Sequence, residues 1–414
     1  MTLRHGDTLR SHPARTVVTG IGAATPLGCS LDQIIDGLLA GRSGVRRVHL
    51  PLFPSGQFIF AAIATHVPSD NGMRAAPLDD ADRAETLCHS AVAAALVDAG
   101  IDRAEAGNAS GPRIGLVAGI GAERLKAWEW DFFRGGHDVF RTPTGGSLAH
   151  RTAREAAIRG PVATVGSACA SSGHAIAVAR SWLDSGLVDI CVAGGCEVFS
   201  PAAVAAFHNL RALSRRSDEP SLASRPFDRD RDGFVIGEGA VFLTLERMGE
   251  RPSARPLATL SGIGMSSDAH HMVAPAEDGM HAATAISRAI LDAGISPHDV
   301  DYLNAHAAGT PVGDVAETCA IRLAFGDRAD ALPVSSTKGL SGHLVSAAAA
   351  FEVVACIGAI RRSMAPATAN LDHPDQRCPL DHVRCEPRPL PIRTAVSNSF
   401  GFGGANISLV IQAV

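Results

Sequence analysis

Short apolar runs rich in β-branched residues recur along this 414-residue chain at 16–18, 114–117, 190–193, 241–245 and 407–411. Runs of that length, punctuated by glycine, predict buried strands. Between them the apolar residues fall at three- and four-residue steps over 83–98, 170–185, 281–293 and 313–325, in alanine-rich sequence. That spacing predicts helices with a buried face. Strands alternating with helices predict an α/β fold in which helices cover the sheets on both sides.

Composition narrows the class. With 46% hydrophobic and 19% charged residues, the chain has material for a large core, and its length allows two or three domains. No Ser/Gly/Pro linker or charge block divides it, so one compact unit is expected. A net charge of −5 supplies no basic field and argues against nucleic acid as a partner. The nine cysteines include no C-x-x-C pair and no Cys/His finger spacing. Neither a disulfide framework nor a zinc site is indicated, and a reduced, cytoplasmic protein is expected. Residues 1–15 are polar and basic and predict a disordered tail, not a signal peptide. The longest apolar stretch, 344–360, contains Glu352 and falls short of the roughly 20 residues of a membrane span, so no membrane segment is expected.

Cys169 stands apart from the other cysteines by its setting. It lies in Gly166-Ser167-Ala168-Cys169-Ala170-Ser171-Ser172-Gly173-His174, small residues leading into a helical run. There the free N–H groups and dipole of the first turn favour a thiolate. Taken alone, a buried structural cysteine is the ordinary reading. Two downstream segments change it: Asn304-Ala305-His306-Ala307-Ala308-Gly309-Thr310-Pro311 and Ser336-Thr337-Lys338-Gly339-Leu340-Ser341-Gly342-His343. Near the C-terminus, the closely spaced glycines of Asn398-Ser399-Phe400-Gly401-Phe402-Gly403-Gly404-Ala405-Asn406 let backbone N–H groups approach a reacting oxygen.

These segments together resemble the β-ketoacyl-acyl carrier protein synthases of the elongating, Cys-His-His type. The resemblance covers nearly the whole chain, from Val17-Val18-Thr19-Gly20-Ile21-Gly22 through Arg225-Pro226-Phe227-Asp228, Arg231-Asp232-Gly233-Phe234 and Gly237-Glu238-Gly239-Ala240 to Gly401-Phe402-Gly403-Gly404. It implies a thiolase-like fold of two pseudo-repeated halves in alternating α/β layers. Residues 16–250 would carry the nucleophile and 251–414 both histidines. It also implies a homodimer, or a heterodimer with a chain-length partner, and acyl carrier protein as the bearer of the acyl and malonyl thioesters.

The resemblance further implies roles for single residues. Cys169 would hold the acyl chain as a thioester, with the N–H groups of Cys169 and Phe400 as oxyanion hole. His306 and His343 would bracket the malonyl carbonyl and stabilise the enolate left by loss of CO2. Lys338 would keep both imidazoles neutral by like-charge repulsion. Glu352, set among apolar neighbours, needs a partner, and Lys338 is the expected one. No cofactor beyond the substrate's phosphopantetheine and no resident metal are implied, although some members hold a monovalent cation near the counterparts of Asn304, Glu352 and Asn398. Phe207 and Phe402 align with positions that gate or line the acyl pocket. Asp228, Asp232 and Glu238 are expected to be structural, and His270-His271 lacks a third metal ligand. Gly20-Ile21-Gly22 lacks the third glycine of a dinucleotide fingerprint, so a tight turn is expected there.

Two departures from the family stand out. Ala307-Ala308-Gly309-Thr310 replaces the usual Gly-Thr-Ser-Thr, leaving Thr310 to position the phosphopantetheine arm; the hydroxyl lost at Ala308 is worth about 1 kcal/mol. Ser346-Ala347-Ala348-Ala349 replaces Gly-Ala-Ala-Gly and adds bulk beside the site. Arg211, Arg215 and Arg216 form a basic cluster suited to docking an acidic carrier, though a solvated surface cluster reads equally well. Among rivals, a thiolase needs a second cysteine near the C-terminal glycines, a starter-unit synthase needs asparagine at His343, and a non-catalytic chain-length partner lacks the nucleophile. An acyltransferase on the same fold remains an alternative.

Overall fold

The computed structural model describes residues 15–49, 58–69, 72–78, 82–108, 110–121, 123, 125–133, 135–136 and 146–414. The expected tail lies outside the described residues except at Arg15, whose carbonyl accepts a hydrogen bond from the Met248 N–H at 2.7 Å.

Ten strands set the architecture. In the first half, β1 (Thr16–Ala24), β2 (Ile114–Gly119), β3 (Val162–Val165), β4 (Ile190–Glu197) and β5 (Gly239–Arg247) lie in the order β1-β5-β4-β2-β3. Read along that order, the pairings are antiparallel, antiparallel, parallel, parallel. In the second half, β6 (Ala258–Ser267), β7 (Tyr302–Asn304), β8 (Pro333–Ser335), β9 (Thr394–Gly401) and β10 (Ala405–Gln412) lie in the order β6-β10-β9-β7-β8. Their pairings follow the same succession. Both halves therefore carry one topology, a repeat too weak to see in the residues themselves. β1 and β6 pair over Thr16–Val18 and join the halves into a continuous sheet.

The helices fall into three layers. α1 (Arg83–Asp98) buries Leu87, Ala91, Val92 and Ala95 against the outer face of the first half. α2 (Ser171–Asp184) leaves the nucleophile turn, and α3 (Pro201–Asn209) follows β4. α4 (Met280–Asp292) and α5 (Gly313–Phe325) cover the outer face of the second half. α6 (Ala348–Arg362) packs with α2 between the two halves of the sheet and is buried at every position from Ala348 to Ile360. An apolar run with one glutamate is thus the middle layer of an α/β/α/β/α stack. Burial on all sides replaces the one-sided stripe of an outer helix.

The expected turn at Gly20–Gly22 is instead strand interior, and both glycines serve close packing. A Cβ on Gly20 would lie 2.3 Å from the Ala95 carbonyl oxygen, and one on Gly22 would lie 1.8 Å from that of Ala91, both on α1. The second half repeats the device, with Gly262 and Gly264 of β6 against Ala289 and Ala285 of α4.

Candidate active site

The nucleophile is set by a strained turn. After β3 the chain passes through Ala168 at φ +49° into the turn Ala168–Ala170 and then α2. A non-glycine residue there needs support. The Ser171 hydroxyl supplies it, accepting from the Ser167 N–H at 2.9 Å and donating to the Ala168 carbonyl at 2.7 Å. Cys169 is left buried, its Sγ 2.9 Å from His343 Nε2. From the other side the chain after β9 comes so near that a Cβ on Gly401 would lie 2.6 Å from the Ser167 carbonyl oxygen and 3.2 Å from the Cys169 nitrogen. That approach brings the Phe402 backbone N–H onto the Cys169 sulfur.

The second half supplies the bases. His343 is pinned by its backbone, which donates to the Val235 carbonyl and accepts from the Gly237 N–H, both at 2.8 Å. The Phe234 ring meets its imidazole edge-on at 5.2 Å. His306 follows β7; the backbone N–H groups of His306 and Ala307 donate to the two oxygens of Glu317 at 2.8 and 2.6 Å. The two imidazole rings stand 5.4 Å apart and nearly perpendicular. Lys338 pairs with Glu352, whose other oxygen accepts from the Ser399 hydroxyl at 3.0 Å, so the expected partnership forms in full burial.

Electrostatics follow from that enclosure. Burial first, and the Lys338 charge second, hold His306 and His343 well below the usual imidazole range; for His306 its neighbour His343 adds to the effect. Both are therefore neutral. Burial pushes the Cys169 thiol up to about 12, opposed by the charge of Lys338 and the Phe402 N–H and reinforced by Glu197. The start of α2 does not leave a free thiolate, contrary to the simplest expectation. The Val345 N–H donates to His343 Nδ1 at 3.3 Å, so the neutral ring carries its hydrogen on Nε2 and donates it toward the Cys169 sulfur.

The cavity opens to solvent and encloses about 80 Å³. Cys169, His306, His343, Thr310, Phe207 and Phe402 all line it. The Phe207 ring, on α3, lies 6.0 Å from Phe402 and 5.2 Å from Phe234. The Thr310 Oγ accepts from the Gly313 N–H at 3.2 Å and keeps its own proton to donate. Phe400 differs from expectation: it is the Phe402 amide that reaches Cys169, while the Phe400 ring packs 5.9 Å from His306. Arg211, Arg215 and Arg216 lie outside this cavity in the loop after α3. His271 caps its own loop, its Nδ1 accepting from Val273 and Ala274 at 3.1 Å. Asp228, Asp232 and Glu238 bond backbone groups, and Glu238 also pairs with buried Arg83. Of the proposed cation trio, Asn304 Oδ1 has no partner, but Glu352 is taken by Lys338 and Ser399, and Asn398 Oδ1 by Ser408. The trio fits an ion poorly.

Three functional neighbours, Glu317, Asp314 and Glu197, escaped the sequence reading. Glu317 orients His306, and burial pushes its carboxyl up to about 7. Asp314 accepts from the Phe227, Gly309 and Thr310 N–H groups at 2.8, 3.1 and 3.2 Å, fixing the loop that carries Thr310. Both sit among apolar residues of α5, the signal that singled out Glu352. Ser346 donates to Glu197 Oε2 at 2.7 Å and accepts from the Gly121 N–H at 2.9 Å. The departure from glycine therefore anchors Glu197, whose enclosed carboxyl is pushed up to about 7 by burial.

Repeated α/β halves that pool a thiol from one and paired neutral imidazoles from the other are the build of thiolase-fold condensing enzymes. Residues 14–250 match the model of the Beta-ketoacyl synthase, N-terminal domain, and residues 257–372 that of the Beta-ketoacyl synthase, C-terminal domain. The chain belongs to the β-ketoacyl synthase family. It is 36% identical to the 3-oxoacyl-[acyl-carrier-protein] synthase 2 of Coxiella burnetii, over 97% of this chain and 99% of that one. Among solved structures, a type II polyketide synthase acyl-carrier protein in complex with its ketosynthase superposes with TM-score 0.87 at 28% identity, over 97% of this chain and 100% of that one. The ishigamide ketosynthase/chain length factor gives TM-score 0.85 at 30% identity and the same coverage.

Proposed function

We infer how this β-ketoacyl-acyl carrier protein synthase carries out a decarboxylative Claisen condensation in type II fatty-acid or polyketide synthesis. Cys169 attacks an acyl-carrier thioester as the thiolate, steadied by the Nε2–H of His343; the acyl–sulfur bond to the carrier breaks, and the carrier leaves as a thiol with the proton that Cys169 gave up. The N–H groups of Cys169 and Phe402 hold the oxyanion, and Phe207 and Phe402 line the acyl chain. Malonyl-carrier protein then enters, its phosphopantetheine arm positioned by Thr310. His306 and His343, neutral and donating, hold the thioester oxygen while CO2 departs. The enolate carbon attacks the acyl carbonyl, and the Cys169–acyl bond breaks to give a β-ketoacyl carrier two carbons longer. No cofactor of the enzyme's own enters this balance. Lys338, paired with Glu352, keeps the imidazoles neutral.

The observation that carries this reading is the 2.9 Å contact between His343 Nε2 and Cys169 Sγ, with His306 beside it. Intact-mass measurement after incubation with acyl-carrier protein tests it. Wild type gains one acyl group and Cys169→Ala gains none; acylation of both would place the nucleophile elsewhere.

The proposed setting is the cytoplasm, and among the described residues no helix is long and apolar enough to cross a membrane. The proposed partners are acyl carrier protein, docked on Arg211 and its neighbours, and a second protein of the same fold. That second protein is a copy of this chain or a chain-length partner. It is favoured by β3, an edge strand with incompletely covered residues, and by Phe132 and Trp128, 75% and 50% exposed.

A further inference from the structure

A second cleft lies next to the reactive cavity and shares one wall with it. It encloses about 560 Å³, within the range of small-molecule sites. Phe58, Phe60 and Leu213 give it an apolar wall, and Arg215, Arg216 and His208 stand in its lining. Among the described residues no aspartate or glutamate lines it. Asp232, bonded to this loop, is already engaged by the Ser214 hydroxyl at 2.7 Å and the Arg215 N–H at 2.9 Å.

The cationic side is unspent. Among the described residues neither Arg215 nor Arg216 forms an ion pair with a carboxylate. The Arg216 side chain donates one bond, from Nη2 to the Asp230 carbonyl at 2.8 Å, and its buried Nε has no partner among the described residues. A third guanidinium, Arg47, stacks 4.1 Å above the Phe58 ring at the same edge. Forked donors beside an aromatic and aliphatic wall suit a ligand with an anionic head and a hydrocarbon tail.

We propose that this cleft is a second binding site, distinct from the condensing cavity, for an acyl chain with an anionic head group such as a fatty carboxylate or an acyl thioester bearing phosphates. The tail lies against Phe58, Phe60 and Leu213, and the head is held by Arg215 and Arg216. Phe234 makes the site consequential, because it lines both cavities and sets its ring against His343 at 5.2 Å. A chain bound there braces Phe234 from behind and bears on the position of His343.

Calorimetric titration of the full chain with dodecanoate, dodecanoyl-CoA and dodecanol tests the assignment. A free carboxylate cannot acylate Cys169, so the readout does not depend on the condensation. One equivalent of dodecanoate or dodecanoyl-CoA binds, and whichever binds tighter identifies the head group. Arg215→Gln with Arg216→Gln weakens binding by about tenfold or more. Ile59→Trp, which fills the cleft, abolishes it, and Arg211→Gln, outside the cleft, leaves it unchanged. The arginine pair serves as the test if the Ile59 variant does not fold. Absence of binding, binding indifferent to the arginine pair, or dodecanol binding as tightly as dodecanoate overturns the proposal.

Discussion

At the level of single residues, the site depends on neutral imidazoles around a thiol that burial keeps protonated. His343→Ala removes the Nε2–H donor beside the Cys169 sulfur and should slow acyl loading as well as condensation, by roughly 10² to 10³, whereas His306→Ala should spare loading; stopped-flow transfer from an acyl-carrier thioester separates the two. Lys338→Met removes a cation that depresses both histidines, so their pKa values rise. The acid limb of the rate profile should then move to higher pH, and an unmoved limb would show that burial alone sets the charge state. The chemistry-bearing residues were legible because thiol, imidazoles and lysine each lie in a distinctive run of small residues. Phe402 was not separable from Phe400, because which amide turns toward Cys169 is decided by the close pass of Gly401. Glu317 carried the same mark as Glu352, a carboxylate among apolar residues, but its partners, the His306 and Ala307 N–H groups and the Asn398 side-chain amide, are not readable from the sequence around it.

Elements carry the site by close approach. Gly401→Ala would drive a methyl against the Ser167 carbonyl and the Cys169 amide, costing about 1–3 kcal/mol of stability and most of the condensation rate; thermal melts with a turnover assay check both. Glu317, buried with its carboxyl raised from 4.5 to about 7, contributes stability that is whole below pH 4.5 and is lost as pH rises to about 7. Urea unfolding of wild type against Glu317→Gln should therefore show wild type losing ground across that window and no further change above it. The periodic helices were readable: 83–98 and 313–325 form as α1 and α5, and 170–185 and 281–293 shift by a residue. β7 and β8 were not, since three-residue strands such as Tyr302–Asn304 exist only through their ladder partners.

For the whole molecule, the repeat explains why the site sits where it does. The third strand of each half, β3 and β8, leads into the turn that delivers Cys169 in one case and Lys338 and His343 in the other, and the central helices α2 and α6 follow. Sequence alone hid this because the two halves share the positions of glycines under helices rather than residue identities at large. The β3 edge predicts assembly: sedimentation should give twice the chain mass, or a complex with a chain-length partner, and Phe132→Asp tests whether that exposed face takes part. The most direct test of the account is a single turnover on protein preloaded at Cys169, with malonyl-carrier protein added and both carrier mass and CO2 followed. The account predicts one equivalent of CO2, loss of acyl from Cys169 and a carrier-bound β-ketoacyl chain two carbons longer. Acyl transfer to the carrier without CO2 release or chain extension would contradict it and make the protein an acyltransferase.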